Sequence, residues 1–316
     1  MTILTVRHLT IYRYRQPVAF GEHRLMLRPR EGHDQRLLDL AIDITPRPAD
    51  LRWVHDVFGN SVAVARFAGR ARELRFSSTV RLDHLPLRAL DFKLEDHAQT
   101  YPFSYGIEEI PDLARSIERH FPDPDHEVDR WARRFLHSDR PTATFGLLER
   151  MTNAIHGDFT YIARHERGIQ EPTKTLKLGS GTCRDFAVLM IEAVRSLGLA
   201  ARFVSGYLYV PAADGAGHVG GGATHAWVRV YLPGAGWVEF DPTNGIVGNR
   251  DLIRVAIARD PRQALPLHGT WFGFPADHLG MTVEVSVTSA AEPAPQRDES
   301  AKSAPPAETL VAVARP

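Results

Sequence analysis

Hydrophobic and polar positions give the chain two textures. Over residues 1–85 they alternate: Val6, His8, Thr10, Tyr12 and Tyr14 share one parity against Arg7, Leu9, Ile11 and Arg13. A period of two belongs to strands with one buried face. Leu40, Ile42 and Ile44 mark a second strand. VHDVFGNSVAVARF holds a turn at Gly59-Asn60 and then a strand through Phe67, and LRFSSTVRLDH is another. Strands recurring about every ten residues predict a β-sandwich-like domain over 1–85.

Beyond it the period changes. Residues 86–140 carry Pro86, Pro102, Pro111, Pro122 and Pro124 and read as a helical connector. PDLARSIERHF is a helix opened by a proline in its first turn, and DHEVDRWARRFL puts Val128, Trp131 and Phe135 on one face. TFGLLERMTNAIHG aligns Leu147 or Leu148 with Met151 and Ile155, and Gly157 is read as its stop. CRDFAVLMIEAVRSLG carries a broad stripe of Phe186, Leu189, Met190, Val194 and Leu197, closed by Gly198. Three strands follow: ARFVSGYLYV, HAWVRVYL and GWVEFDP, the last two joined by a turn beginning at Pro233. TVEVSV, from Thr282, is a late strand. Residues 289–316 are mainly Ala, Pro, Ser and Glu and are read as a disordered tail.

Composition narrows the function classes. The chain has 316 residues, 38 basic and 38 acidic side chains, and no net charge. That balance favours neither nucleic acid nor anionic lipid as a partner. No run of eighteen apolar residues is present, and the first residues lack the apolar core of a signal peptide. A cytoplasmic location is the expectation. The fifteen histidines show no metal-ligand spacing: there is no HExxH, and His156, His165, His218 and His225 are dispersed. GHVGGG precedes a strand instead of opening a helix, so no nucleotide loop is read there. Neither a metal nor a cofactor is expected.

The chain has one cysteine. A lone cysteine is ordinarily a small buried hydrophobe. Cys183, however, follows Gly179-Ser180-Gly181-Thr182 and opens a helix. Free N–H groups at a helix start stabilise a thiolate and the anion of a tetrahedral intermediate. His225 begins a strand and shares a face with Trp227. Asp241 ends the next strand, and parity across the hairpin allows it on the same face as His225. A cysteine, a histidine and an orienting acid are the parts of a nucleophilic thiol site. Asp185 is read as a first-turn acid favoured by the helix start, not as a catalyst.

The segments SGTCRDFAVLMIEAVRSLGLAARFVSGYL and THAWVRVYLPGAGWVEFDPTNG closely resemble the transglutaminase-like core of bacterial and archaeal two-domain proteins. HLTIYRYRQPV, LMLRPR and DVFGN resemble that family's separate N-terminal β domain. The resemblance implies an α+β chain: the N-terminal β domain, then a papain-like core of helices on an antiparallel sheet over 141–288. It implies a Cys183-His225-Asp241 triad that transfers acyl groups through a thioester. Cleavage of amide or peptide bonds, as a protease or amidase, and protein-glutamine transamidation are both implied, with a peptide or protein substrate and, for transamidation, an amine acceptor. Arg184 and Val188 depart from the family's CQDFAH pattern. Tyr161, Gly206, Tyr207 and Trp227 are the expected substrate-binding residues, with Tyr161 or the Cys183 N–H as oxyanion donor. The competing reading is a noncatalytic protein-binding module on the same fold.

Overall fold

The computed structural model describes residues 2–85, 92–163, 168–210 and 222–290. The GHVGG stretch, His165, His218 and the tail after residue 290 lie outside them. The N-terminal alternation forms β1 (Thr2–Leu25), β2 (Gln35–Thr45), β3 (Asp50–His55), β4 (Ser61–Arg66) and β5 (Arg70–His84). β1 is much longer than the spacing of turn signals suggests. Its first half pairs with β5, while His23–Leu25 pair with β4. The register to β5 shifts between Arg13 and Val18, and Pro17 sits in that gap, where its missing N–H breaks no ladder bond. The sandwich-like expectation is met by one antiparallel sheet, ordered β2-β5-β1-β4-β3, that curls on itself. Tyr14, Val18, Leu25, Ala65, Leu74 and Phe76 are buried together in the curl.

A two-stranded ladder of β6 (Thr100–Tyr101) and β7 (Thr142–Ala143) brackets the helices α1 (Ile110–Ile117) and α2 (Glu127–Arg133). α3 (Thr144–Asp158) runs past Gly157 and ends where Phe159 turns to an extended backbone, so Gly157 is not its stop. β8 (Thr160–Tyr161), α4 (Pro172–Leu178) and β9 (Ser180–Gly181) lead into α5 (Cys183–Ser196). Gly198 follows α5 with φ +79°, the left-handed conformation expected of it. β10 (Ala201–Leu208), β11 (His225–Leu232), β12 (Gly236–Asp241), β13 (Ile246–Val247) and β14 (Leu252–Ala258) make an antiparallel sheet in the order β13-β12-β11-β10-β14. α5 packs on β11 and β10, and α2, α3 and α4 pack on α5.

The chain then returns to its beginning. β15 (Leu267–Phe272) and β16 (His278–Ala290) both pair with β1. The strand read at Thr282 therefore exists but belongs to the N-terminal sheet, which corrects its place in a core over 141–288. Its alternation fixed a strand without fixing a partner, and β1 supplied the free edge.

The two sheets meet along β14, an edge of the five-stranded sheet. The Asn60 side chain donates to the Ile257 carbonyl at 2.8 Å and accepts from the Ile257 N–H at 2.9 Å. Gln35 treats Arg254 the same way, at 2.8 and 3.0 Å. Two side-chain amides thus stand in for a neighbouring strand and cover an edge that would otherwise be open. Asn60 is not half of a plain surface turn: it is fully buried, and Asp56 and Gly59 make the turn beside it. Arg254, also buried, forms ion pairs with Asp34 and Glu239, each at 2.8 Å. Leu4, Val6, Val80 and Leu82 of the first sheet share one buried cluster with Ile253 and Val255 of β14.

Candidate active site

The approach to Cys183 is built locally. α4 ends at Gly179, whose φ of +57° reverses the chain at low steric cost. Ser180 and Gly181 then pair in parallel with Thr160 and Tyr161. Thr182, extended, precedes the first turn of α5. Asp185 accepts from the Thr182 N–H and hydroxyl, both at 2.8 Å, and from the Gln170 N–H at 2.6 Å. This buried carboxylate holds the turn in place, in keeping with its reading as a first-turn acid.

The β11–β12 hairpin brings the other two residues together. The β11–β12 ladder ends at Val228↔Phe240, and His225 and Asp241 lie beyond it on the same face. His225 Nε2 and Asp241 Oδ2 are 2.8 Å apart, with neither side chain exposed. The Thr243 N–H donates to Asp241 Oδ1 at 2.9 Å, and Asn244 Nδ2 donates to Oδ2 at 2.8 Å. Burial by itself disfavours the imidazolium. The Asp241 charge and hydrogen bond, with a further contribution from Cys183, outweigh it and hold the His225 pKa well above the ordinary value. The Asp241 carboxyl is held low, because its donors and His225 outweigh its own burial. His225 Nδ1, the ring nitrogen not engaged by Asp241, makes no formed hydrogen bond among the described residues.

Of the four residues expected to touch substrate, three serve the interior. Tyr207 is buried, and its hydroxyl bonds His8 Nδ1 of the N-terminal sheet at 2.9 Å. Trp227 is fully buried and stacks against His225 with ring centroids 6.0 Å apart, backing the imidazole. Gly206 pairs with His225, and a Cβ there would lie 2.1 Å from the Ile253 carbonyl oxygen and 2.6 Å from Trp227. Its place is close packing, not the border of a groove. Tyr161 is different. It is half-buried, lies edge-on to Phe186, and its phenol pKa is raised by burial and then by Cys183.

Sequence reasoning missed the outer support of Asp241. His156, on α3, bonds the Thr243 carbonyl through Nδ1 at 2.8 Å. Asn244 was legible in principle, since FDPTNG puts it three residues after Asp241. No spacing announces His156, because it reaches Thr243 across 87 positions. Among the described residues, no three His, Cys, Asp or Glu side chains are placed to hold a metal ion. Nor is any described helix long and apolar enough to cross a membrane.

Comparison with known proteins agrees with this architecture. The model of the bacterial transglutaminase-like N-terminal region matches residues 4–83, and that of the transglutaminase-like superfamily matches residues 129–242. An uncharacterized protein of Mycobacterium tuberculosis is 29% identical over 271 residues, covering 84% of this chain and 86% of the relative. One from Mycobacterium leprae is 24% identical over 300 residues, covering 90% and 98%. The crystal structure of a candidate cysteine protease from Cytophaga hutchinsonii superposes with a TM-score of 0.68 at 18% identity, covering 92% of this chain and 91% of that one. That likeness is one of fold. The chain belongs to the bacterial transglutaminase-like proteins, with their N-terminal region joined to a transglutaminase-like core.

Proposed function

We propose that the chain is a cysteine-dependent acyl-transfer enzyme acting on amide bonds of a peptide or protein. The Cys183 sulfur attacks the amide carbonyl, and His225 first takes the thiol proton and then delivers it to the leaving amine. Asp241 orients the ring and supports its cation. The resulting thioester is opened by water, giving a carboxylic acid, or by an amine, giving a new amide. The Cys183 N–H and the Tyr161 hydroxyl are the proposed donors to the tetrahedral oxyanion.

The observation that supports this reading is the fully buried His225–Asp241 pair, whose other ring nitrogen makes no formed hydrogen bond among the described residues. A fully buried carboxylate held by two further donors fixes the ring and supports the imidazolium that the proposed acyl transfer uses.

The test uses a glutamine peptide with a labelled amine, following ammonia release and label incorporation separately. Ammonia without label means hydrolysis, and label means amine transfer. Both should vanish in Cys183→Ala and fall at least a hundredfold in His225→Ala. Iodoacetamide should label wild-type Cys183 rapidly at neutral pH. Slow labelling that is indifferent to His225→Ala would instead favour a noncatalytic binding module.

A further inference from the structure

Arg184 directly follows the nucleophile and stands where the family pattern has glutamine. It is the second residue of α5 and is half-buried. Among the described residues its guanidinium has no ion-pair or hydrogen-bond partner. The deeply buried arginines of the core are all paired: Arg195 with Glu192, and Arg254 with Asp34 and Glu239. The acid nearest Arg184 in sequence, Asp185, is committed to Thr182 and Gln170. Arg184 is also at the start of a fourteen-residue helix, where backbone N–H groups add further positive potential. Cys183 and Arg184 are the first two residues of α5, and their charges, like that of Asp185, are felt at the Tyr161 phenol.

A half-buried cation beside a nucleophile, with no partner among the described residues, stabilises an incoming anion and repels an incoming cation. Its planar fork fits a carboxylate with two parallel hydrogen bonds. From this we infer that Arg184 is a specificity-determining residue that binds a carboxylate close to the scissile carbonyl, so that the preferred acyl donors are acidic: amides flanked by an aspartate, a glutamate or a terminal carboxylate. The inference rests on the acyl-transfer reading above and supplies its substrate class.

Iodoacetate and iodoacetamide test it without knowledge of the natural substrate. Both lose iodide to the Cys183 sulfur, and they differ only in carrying a carboxylate or a carboxamide. The quantity read is the ratio of their rate constants. The helix start and His225 favour the anion in every variant, so a change on replacing Arg184 isolates the guanidinium. In Arg184→Gln the iodoacetate preference should fall at least fivefold, with Arg184→Lys in between. In wild type, 0.5 M salt should erode the preference, as screening requires. A ratio within twofold of wild type in Arg184→Gln overturns the inference, and so does an equal loss of both rates, which assigns Arg184 to the thiolate or the fold. The ratio is readable however slow the alkylation. Failure of the acyl-transfer reading appears separately, as slow iodoacetamide labelling unaffected by His225→Ala.

Discussion

His225 Nε2 lies 2.8 Å from Asp241 Oδ2, and solvent reaches neither side chain. Burial opposes the charge on the ring, and the Asp241 carboxylate reverses that balance, raising the His225 pKa to about 10. In Asp241→Asn only the smaller contribution of Cys183 still opposes burial, and the His225 pKa should fall well below its wild-type value. Turnover at pH 7 should fall about a thousandfold, by analogy with other triads that lose the acid but keep its shape. NMR titration of His225 checks the first effect and steady-state kinetics the second.

The same pair gives stability a pH dependence at the alkaline end. A folded-state pKa above the unfolded one stabilises fully below the unfolded value, and the effect is lost as pH rises through the folded value. Wild type should therefore lose stability between about pH 6.5 and 10, a slope that His225→Gln lacks. Melting temperatures across that window measure it.

At the domain junction the sign is opposite. Burial would raise the Asp34 carboxyl pKa, but the hydrogen bonds and charge of Arg254 hold it well below the usual range. A depressed pKa stabilises above the unfolded value near 3.9, and the contribution is lost as pH falls through the folded value. Asp34→Asn should cost about 3 kcal/mol at pH 7, because it leaves a buried guanidinium short of a partner. The variant should also show a flatter acid limb than wild type, read from urea midpoints between pH 3 and 7.

Gly206 marks a close approach of β14 to β10. A methyl group there would collide with the Ile253 carbonyl oxygen, which belongs to the sheet and cannot rotate away. Gly206→Ala should destabilise the protein by about 3 kcal/mol and disturb His225, its register partner. Denaturant unfolding gives the first effect, and the His225 titration reports the second.

His156 acts through Thr243 on the Asp241 carboxylate. Removing the outer bond in His156→Ala should lower kcat about tenfold with little change in KM, as a small misplacement of a catalytic group does. His156→Asn offers an amide N–H at nearly the same place and should restore most of the rate. Equal losses in the two variants would mean that His156 merely packs.

What the sequence could determine by itself was local. The start of α5 at Cys183, the Gly198 stop and the β11–β12 hairpin follow from caps, periodicity and turn residues, each confined to a few positions. Because side chains alternate along a strand, parity allowed His225 and Asp241 on one face, and the register of β11 with β12 decided it. Only the tertiary structure decided what lies far apart in the chain. It sent β16 back to β1, set Tyr207 against His8 and sealed Trp227 behind His225. It also turned Asn60 and Gln35 into a cover for β14 and brought His156 to Thr243. A strand's pattern specifies that one face is buried, not which partner buries it. That choice belongs to the packing of the whole chain, where free edges and unpaired polar groups across 87 to 219 positions are satisfied together.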